Sequence, residues 1–292
     1  MQRMAVPMTQ TFKLNGERIT RTYTAEISTE IIQDAKKSYT AVGTEFCLTF
    51  FGMHDNKLHY TLETLKRFLL NKKCSAIKKL NKAQTIALQV ARINDILELQ
   101  AHKSLALDRI NNTEAIRKQW SDIKASLLQE FPDLKTMTKD LDWQLQEENI
   151  QQVFIEDNFL NFLFSSIFYR EFDSNHPIAD QKILSNAMGN LSIPIIETKR
   201  ITGQRKQRMT TPDITITLDA TLDTDNKKFP LAKLNRFLGT LTQPGEQHQL
   251  DFEYTGTYTL QPERGLVTQG NLTYTFEAVS YTHLTLPTIY SV

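Results

Sequence analysis

The stretch that most clearly indicates the fold is Asp213-Ile-Thr-Ile-Thr-Leu-Asp-Ala-Thr-Leu222. Its apolar and polar residues alternate, which is typical of a β-strand with one buried face and one solvated face. One-sided strands of this kind belong to antiparallel sheets, because parallel sheets are covered on both faces. The pattern therefore predicts an antiparallel sheet that packs on a core with one of its faces.

Similar strands occur on both sides of this stretch. Toward the carboxyl end, residues 249–260 and 266–276 alternate in the same way. Toward the amino end, Asn15-Gly16 predicts a hairpin between Thr11–Leu14 and Arg18–Ile27, since both turn positions tolerate a positive φ. His54-Asp55-Asn56-Lys57 predicts a second turn, with a strand before it and a strand after it.

Helical spacing dominates the middle of the chain. Apolar residues recur every three or four positions from Ser75 to Ile93, and again from Asn112 to Pro132, which would stop the helix. Between these segments, residues 96–110 predict a short pair of strands, with one continuous long helix as the competing interpretation. Phe154 to Tyr169 is apolar nearly all round a helix, which predicts burial on most sides.

These elements together predict one α+β domain over residues 1–278. It would be β-rich over 9–65, mainly helical over 75–172 and β-rich over 190–278. Antiparallel strands from both ends of the chain would form a curved sheet packed on the helical middle segment.

The composition excludes several classes of protein. The 292 residues include 34 basic and 33 acidic side chains, and this balance argues against a dedicated nucleic-acid-binding protein. Neither a GxGxxG nor a GxxxxGK[ST] phosphate loop occurs in the sequence. The GxSxG and HExxH motifs of two hydrolase classes do not occur either. We therefore expect no cofactor, and an enzyme is the third-ranked interpretation.

The sequence also favours a particular compartment. No apolar run of signal-peptide length follows Arg3, and no run approaches the length of a membrane span. A cytoplasmic location is the resulting expectation, which an upstream segment before the given start would change.

The last fourteen residues, Val279 to Val292, form a separate segment. Val279 to Thr288 resembles, at each of its ten positions, the translation of the adapter used in transposase-based DNA sequencing libraries. The resemblance implies that residues 279–292 are a non-native tail, that the sequence is truncated and that the natural carboxyl end lies elsewhere. Uninterrupted genomic sequence through Val292 would contradict this interpretation.

The remaining residues resemble uncharacterised bacterial α+β proteins with terminal β-meanders. The motifs that carry this resemblance are Ile110-Asn-Asn-Thr-Glu-Ala-Ile-Arg-Lys-Gln-Trp120 and Gly256-Thr-Tyr-Thr-Leu-Gln-Pro-Glu-Arg-Gly265. The resemblance implies a fold and brings no activity with it.

Two groups of residues are candidate binding sites. The first is aromatic and apolar, and it would either line a cavity for an apolar ligand or form the core under the sheet. Its members are Phe154, Phe159, Phe162, Leu163 and Phe168. The second is a basic patch that would meet an anionic partner or lie in a solvated hairpin loop. Its members are Lys199, Arg200, Arg205, Lys206 and Arg208.

Two further groups are weaker candidates. His54 and His59 are close in sequence, but five residues across a turn do not by themselves bring two ligands to one metal. Asp140, Asp142, Glu147 and Glu148 are acidic neighbours that are typical of a solvated helix face, and we assign no catalytic or metal-binding residue.

We expect a non-enzymatic binding or interaction protein, with an apolar small molecule or another protein as its partner. The alternative is a carrier of an apolar ligand or lipid in a cavity between sheet and helix.

Overall fold

The computed structural model of the protein describes nine stretches of residues. They are residues 10–14, 16–33, 36–172, 177–188, 191–205, 213–239, 250–261, 266–278 and 282–291.

The described residues contain thirteen β-strands and six α-helices. The strands are β1 (Gln10–Thr11), β2 (Ile19–Gln33), β3 (Lys36–His54), β4 (Lys57–Leu70), β5 (Ile96–His102), β6 (Leu107–Ile110), β7 (Glu171–Phe172), β8 (Ile178–Met188), β9 (Leu191–Arg205), β10 (Asp213–Leu222), β11 (Leu250–Gln261), β12 (Leu266–Ala278) and β13 (Thr282–Ser291). The helices are α1 (Lys82–Ala91), α2 (Thr113–Glu130), α3 (Lys135–Gln144), α4 (Glu147–Ile155), α5 (Asn158–Leu163) and α6 (Leu231–Gly239).

The structure confirms the predicted α+β class. Antiparallel strands from both ends of the chain form an eleven-stranded sheet, and most of the described helices come from the middle of the chain. A separate two-stranded sheet joins β1 to β7. The last strand, β13, pairs with β12. It lies within residues 279–292, the stretch whose sequence resembles translated adapter.

Contacts between residues divide the chain into two compact units. The first unit comprises Met1–Asn15, Glu26–Thr40 and Ser166–Val292, and the second comprises Gly16–Ala25 and Ala41–Ser165. The strand order is β8-β9-β10-β11-β12-β13 in the first unit and β2-β3-β4-β5-β6 in the second. Strands β2 and β3 contribute residues to both units.

Aromatic side chains fill the core of the second unit. Tyr23 stacks on Phe46, with ring centroids 5.3 Å apart, and Phe159 meets the same Phe46 edge-on at 5.5 Å. Phe164 meets Tyr60 edge-on at 5.1 Å. Helix α5 and the residue that follows it therefore pack directly against inner side chains of β3 and β4. Each such aromatic pair adds to the stabilisation that burial provides.

A chain of alternating charges in the first unit has its two central members, Lys199 and Glu197, buried. Lys199 on β9 is 0% exposed, and it lies 3.2 Å from a carboxylate oxygen of Glu197 and contacts Asp180 on β8. Glu197 continues the chain to Lys182 at 2.7 Å, and Asp180 continues it to Arg170. Each carboxylate thus lies between two cations, which offsets the cost of removing these charges from water.

The same charges set the ionisation of Glu197. Burial opposes its negative charge, but Lys182, Lys199 and the hydroxyl that Tyr254 donates outweigh burial and lower its pKa to about 2. Burial also lowers the pKa of Lys182, and the charge of Glu197 opposes that change.

Several local expectations prove wrong. β1 pairs with β7 and not with β2, so the hairpin predicted around Asn15-Gly16 does not form between Thr11 and Ile27. The apolar stretch from Phe154 is not one helix, because α4 ends at Ile155 and the Asp157 carboxylate accepts from the Leu160 amide at the start of α5. The predicted pair of strands within residues 96–110 is confirmed as β5 and β6, which excludes the competing continuous helix.

Candidate binding groove

The predicted aromatic group is divided between the two units and is mostly buried. Phe154, Phe162 and Leu163 are 3–5% exposed in the second unit, and Phe168 is 0% exposed in the first. Phe159 is half-buried against Phe46. None of the five lines either of the two grooves described below, and their burial is what a packed core requires.

The predicted basic patch is not one surface. Lys199 belongs to the buried charge chain described above, whereas Arg200, the next residue on β9, is 52% exposed and contacts Asp219. Consecutive strand residues point to opposite faces, which separates these two side chains. Only the backbone of Arg205 is described, and Lys206 and Arg208 lie outside the described residues.

The histidines and acidic residues do not form a reactive cluster. The rings of His54 and His59 lie edge-on with centroids 5.8 Å apart. Within the described ranges, no group of three or more His, Cys, Asp or Glu side chains is placed to hold a metal ion. Asp142 accepts from the indole N–H of Trp120 at 2.8 Å and from Lys124, while Trp143 beside it on α3 is 62% exposed.

A different segment of the second unit is rich in basic residues. From Thr64 to Asn94 the chain has eight basic residues and no acidic residue. They are Lys66, Arg67, Lys72, Lys73, Lys78, Lys79, Lys82 and Arg92. The whole-chain balance of +1 hides this run, and a windowed charge count would have found it. We call residues 64–94 the basic segment.

Side-chain caps give the basic segment a defined shape. After β4, the Asn71 amide oxygen accepts from the backbone N–H of Lys73 at 2.8 Å and of Ser75 at 3.2 Å. Asn81 and Gln84 then form a capping box, with the two reciprocal hydrogen bonds at 2.9 and 3.0 Å. This motif starts α1 at Lys82 by satisfying amides that the first helical turn leaves free.

The basic segment forms one wall and the floor of a groove of about 350 Å³, which we call the basic groove. Its lining comes from the end of β4, from α1 and from the turn after α1. The lining residues are Thr64, Leu65, Lys66, Arg67, Leu80, Thr85, Leu88, Gln89, Arg92 and Asp95.

Arg67 fixes the floor of the basic groove. Its guanidinium donates to the Ala91 carbonyl at 2.8 Å, to the Asp95 carboxylate at 3.0 Å and to the Thr64 hydroxyl at 3.3 Å. These bonds join the end of α1 to β4, and the Asp95 charge balances that of Arg67. The groove is therefore preformed, and Arg67 itself is fully engaged.

Two other cations of the basic groove are hydrated and weakly paired. Lys66 is 63% exposed and lies 3.7 Å from Glu45, and Arg92 is 65% exposed and lies 3.9 Å from Asp95. Exposed contacts of this length contribute little, so both charges remain available to an anion. Leu65 and Leu80 are also exposed, at 53% and 39%, and they give the same groove an apolar surface.

A second groove, of about 310 Å³, adjoins the first, and we call it the side groove. Its far wall is one face of α2, and its near wall is shared, because Gln89 and Arg92 line both grooves. Its lining residues are Gln89, Arg92, Gln119, Asp122, Ile123 and Ser126. The Gln119 amide donates to the Arg92 carbonyl at 2.7 Å, which joins α2 to the shared wall.

No protein-family model matches the sequence, and no curated protein matches it. A solved structure described as "Lipid-protein interactions in lipovitellin" is similar with a TM-score of 0.42 and 8% sequence identity. The alignment covers 96% of this chain and 25% of that chain, so the present chain spans about a quarter of the length of its structural neighbour. In the described part of the chain, no helix combines the length and the apolarity that crossing a membrane would need.

Proposed function

We propose that this chain is a non-enzymatic binding protein that holds an acidic, leucine-containing segment of a partner protein in the basic groove. The observation that carries the proposal is the combination of two available cations, Lys66 and Arg92, with exposed leucines at 65 and 80 in one preformed groove.

The chemistry of the groove favours a peptide over other anions. An apolar side chain that covers an exposed leucine removes apolar surface from water, which favours binding. An acidic side chain complements the charges of Lys66 and Arg92. A concave groove of about 350 Å³ accepts side chains, whereas a membrane surface is broad and flat. Its lining contains no aromatic residue for base stacking, on which single-stranded nucleic acids depend.

Fluorescence anisotropy with a fluorescein-labelled peptide of alternating glutamate and leucine tests the proposal. We expect the double variant Lys66→Glu and Arg92→Glu to bind about tenfold more weakly or worse, because two attractive charges become repulsive. The matched control is Lys139→Glu with Lys233→Glu, two exposed lysines on α3 and α6. Equal affinities of the double variant and the control would overturn the proposal.

Two further probes separate the proposed partner from other anions. Phosphatidylserine vesicles and a single-stranded DNA of mixed sequence are titrated under the same salt conditions. Weak binding to both, together with peptide binding that falls as salt rises, supports the proposal. Binding to either probe as tight as to the peptide would overturn it.

The alternative, a carrier of an apolar ligand, depends on the predicted aromatic group. Four of its five members are buried and the fifth packs edge-on against Phe46, as core residues do. Native mass spectrometry after gentle purification tests this alternative directly. A copurifying lipid would support the carrier alternative. A protein without bound lipid would leave the basic groove as the better-supported site.

A further inference from the structure

We infer that the basic groove and the side groove form one binding track, in which Asp122 selects a basic residue in the partner segment. This inference rests on the proposed function, and it names a feature of the partner beyond its acidic and leucine residues.

The two grooves share a wall. Gln89 and Arg92 line both grooves, so a segment that contacts Arg92 in the basic groove reaches the side groove in its next few residues. An extended chain advances about 3.3 Å per residue, which makes two adjacent grooves accessible to one short segment.

Hydrogen bonds hold the shared wall in place. The bond from the Gln119 amide to the Arg92 carbonyl ties α2 to the turn after α1, and Arg67 ties the same turn to β4 through Ala91 and Asp95. Both grooves therefore keep a fixed relation to each other within the second unit.

The charge of the lining residues changes along the track. The basic groove presents Lys66 and Arg92 to its occupant, whereas the lining of the side groove contains Asp122 as well as the shared Arg92. Asp122 is exposed and lies beside Ile123 on the same face of α2. A lysine or arginine side chain fits this pair, because its alkyl stem covers the isoleucine while its charge meets the carboxylate.

The inference predicts a partner segment with two parts. Glutamate or aspartate with leucine occupies the basic groove, and a lysine or arginine a few residues away occupies the side groove. Asp122 is then a specificity-determining residue, since an exposed pair adds modestly to affinity while it discriminates against an acidic side chain.

Four labelled peptides test the inference. All share one core of glutamate and leucine, and they carry either lysine or glutamine at the amino end or at the carboxyl end. Only one of the two ends of a bound peptide reaches Asp122. We expect the peptide with lysine at that end to bind about two- to fivefold more tightly than the peptide with glutamine there, which is the contribution of one exposed ion pair.

Variants then assign the preference to Asp122. Asp122→Asn should abolish the preference for lysine over glutamine, while Asp122→Lys should reverse it. Asp140→Lys, at an exposed acid of α3, is the control and should keep the preference.

The outcomes separate this inference from the proposed function. Equal binding of lysine and glutamine peptides by the unchanged protein, or a preference that survives Asp122→Asn, would overturn the inference while the basic groove still binds the core. Loss of binding to all four peptides would overturn the proposed function and the inference with it.

Discussion

The side-chain amide of Gln151 takes the place of a neighbouring strand beside Ile110. Its oxygen accepts from the Ile110 backbone N–H at 2.9 Å, and its nitrogen donates to the Ile110 carbonyl at 2.7 Å. Ile110 ends β6, the edge strand of the second unit, and its side chain is 0% exposed. A residue of α4 thus satisfies two backbone groups that an edge strand would otherwise leave unpaired.

Gln151→Ala should lower the free energy of unfolding by about 1–3 kcal/mol, because it leaves two part-buried backbone groups without a partner. The control is Gln152→Ala, at the exposed next residue of α4. Urea denaturation followed by circular dichroism measures both variants. A Gln151 variant as stable as its control would contradict the role of this amide.

Lys199→Met should destabilise the first unit by about 3–5 kcal/mol, because it removes a buried cation from between the buried carboxylate of Glu197 and the half-buried carboxylate of Asp180. Arg200→Met is a matched control, since Arg200 is the next residue on β9 and pairs with Asp219 at the surface. Removing that exposed pair should cost less than about 1 kcal/mol. Similar losses for the two variants would show that the buried charge chain does not stabilise the fold.

The loss of folding stability at acid pH should depend on Glu197. Because its pKa is lowered from 4.5 to about 2 in the folded chain, its stabilisation is complete above about pH 4.5 and is lost as the pH falls toward 2. Glu197→Gln should therefore be less stable than the unchanged protein at pH 6, with a difference that narrows between pH 4.5 and pH 2. Unfolding free energies from urea titrations at several pH values measure this, and a constant difference would be the contrary result.

Gly256→Ala should destabilise the first unit by about 1–3 kcal/mol through overpacking. Gly256 is paired with Leu218 on β10 and with Leu272 on β12. A Cβ atom there would lie 2.9 Å from the backbone oxygen of Asn271 and 3.0 Å from a methyl carbon of Leu272. Gly239→Ala is the control, since nothing lies within 4 Å of its Cβ position. Equal melting temperatures for the two variants would contradict this account.

Phe162→Ala should lower the free energy of unfolding by about 3–5 kcal/mol if this ring is part of the core. Phe51→Ala is the control, because Phe51 is 41% exposed and lies under the guanidinium of Arg18. A ring that lined a ligand cavity would instead give loss of a copurifying lipid at little cost in stability. That second result would favour the carrier interpretation.

Local chemistry accounts for the elements that the sequence predicts well. The turn between β3 and β4 forms at Asp55 and Asn56, and both have positive φ, as a tight hairpin turn requires. The alternating residues 213–222 form β10, and α2 runs from Thr113 to Glu130, just before Pro132. In each case the deciding residues lie within a few positions of one another.

Features that depend on distant parts of the chain were not predictable in the same way. The pairing of β1 with β7 joins residues that are far apart in sequence, Gln10 to Phe172 and Thr11 to Glu171. The burial of Glu197 and Lys199 follows from their position on the same face of β9 as Ile195, which strand parity indicates only once the register is known. The basic segment was visible as a charge pattern, yet the grooves depend on how α1, α2 and β4 pack.

The two tryptophans of the chain, Trp120 and Trp143, both lie in the second unit. One is 4% exposed with its indole N–H on Asp142, and the other is 62% exposed. Their emission therefore reports on the second unit alone, with a buried and a hydrated fluorophore in one spectrum. Tyrosines lie in both units, Tyr254 and Tyr274 in the first and Tyr23 and Tyr60 in the second. A near-ultraviolet signal that changes where the tryptophan emission does not would therefore show that the units unfold in two steps.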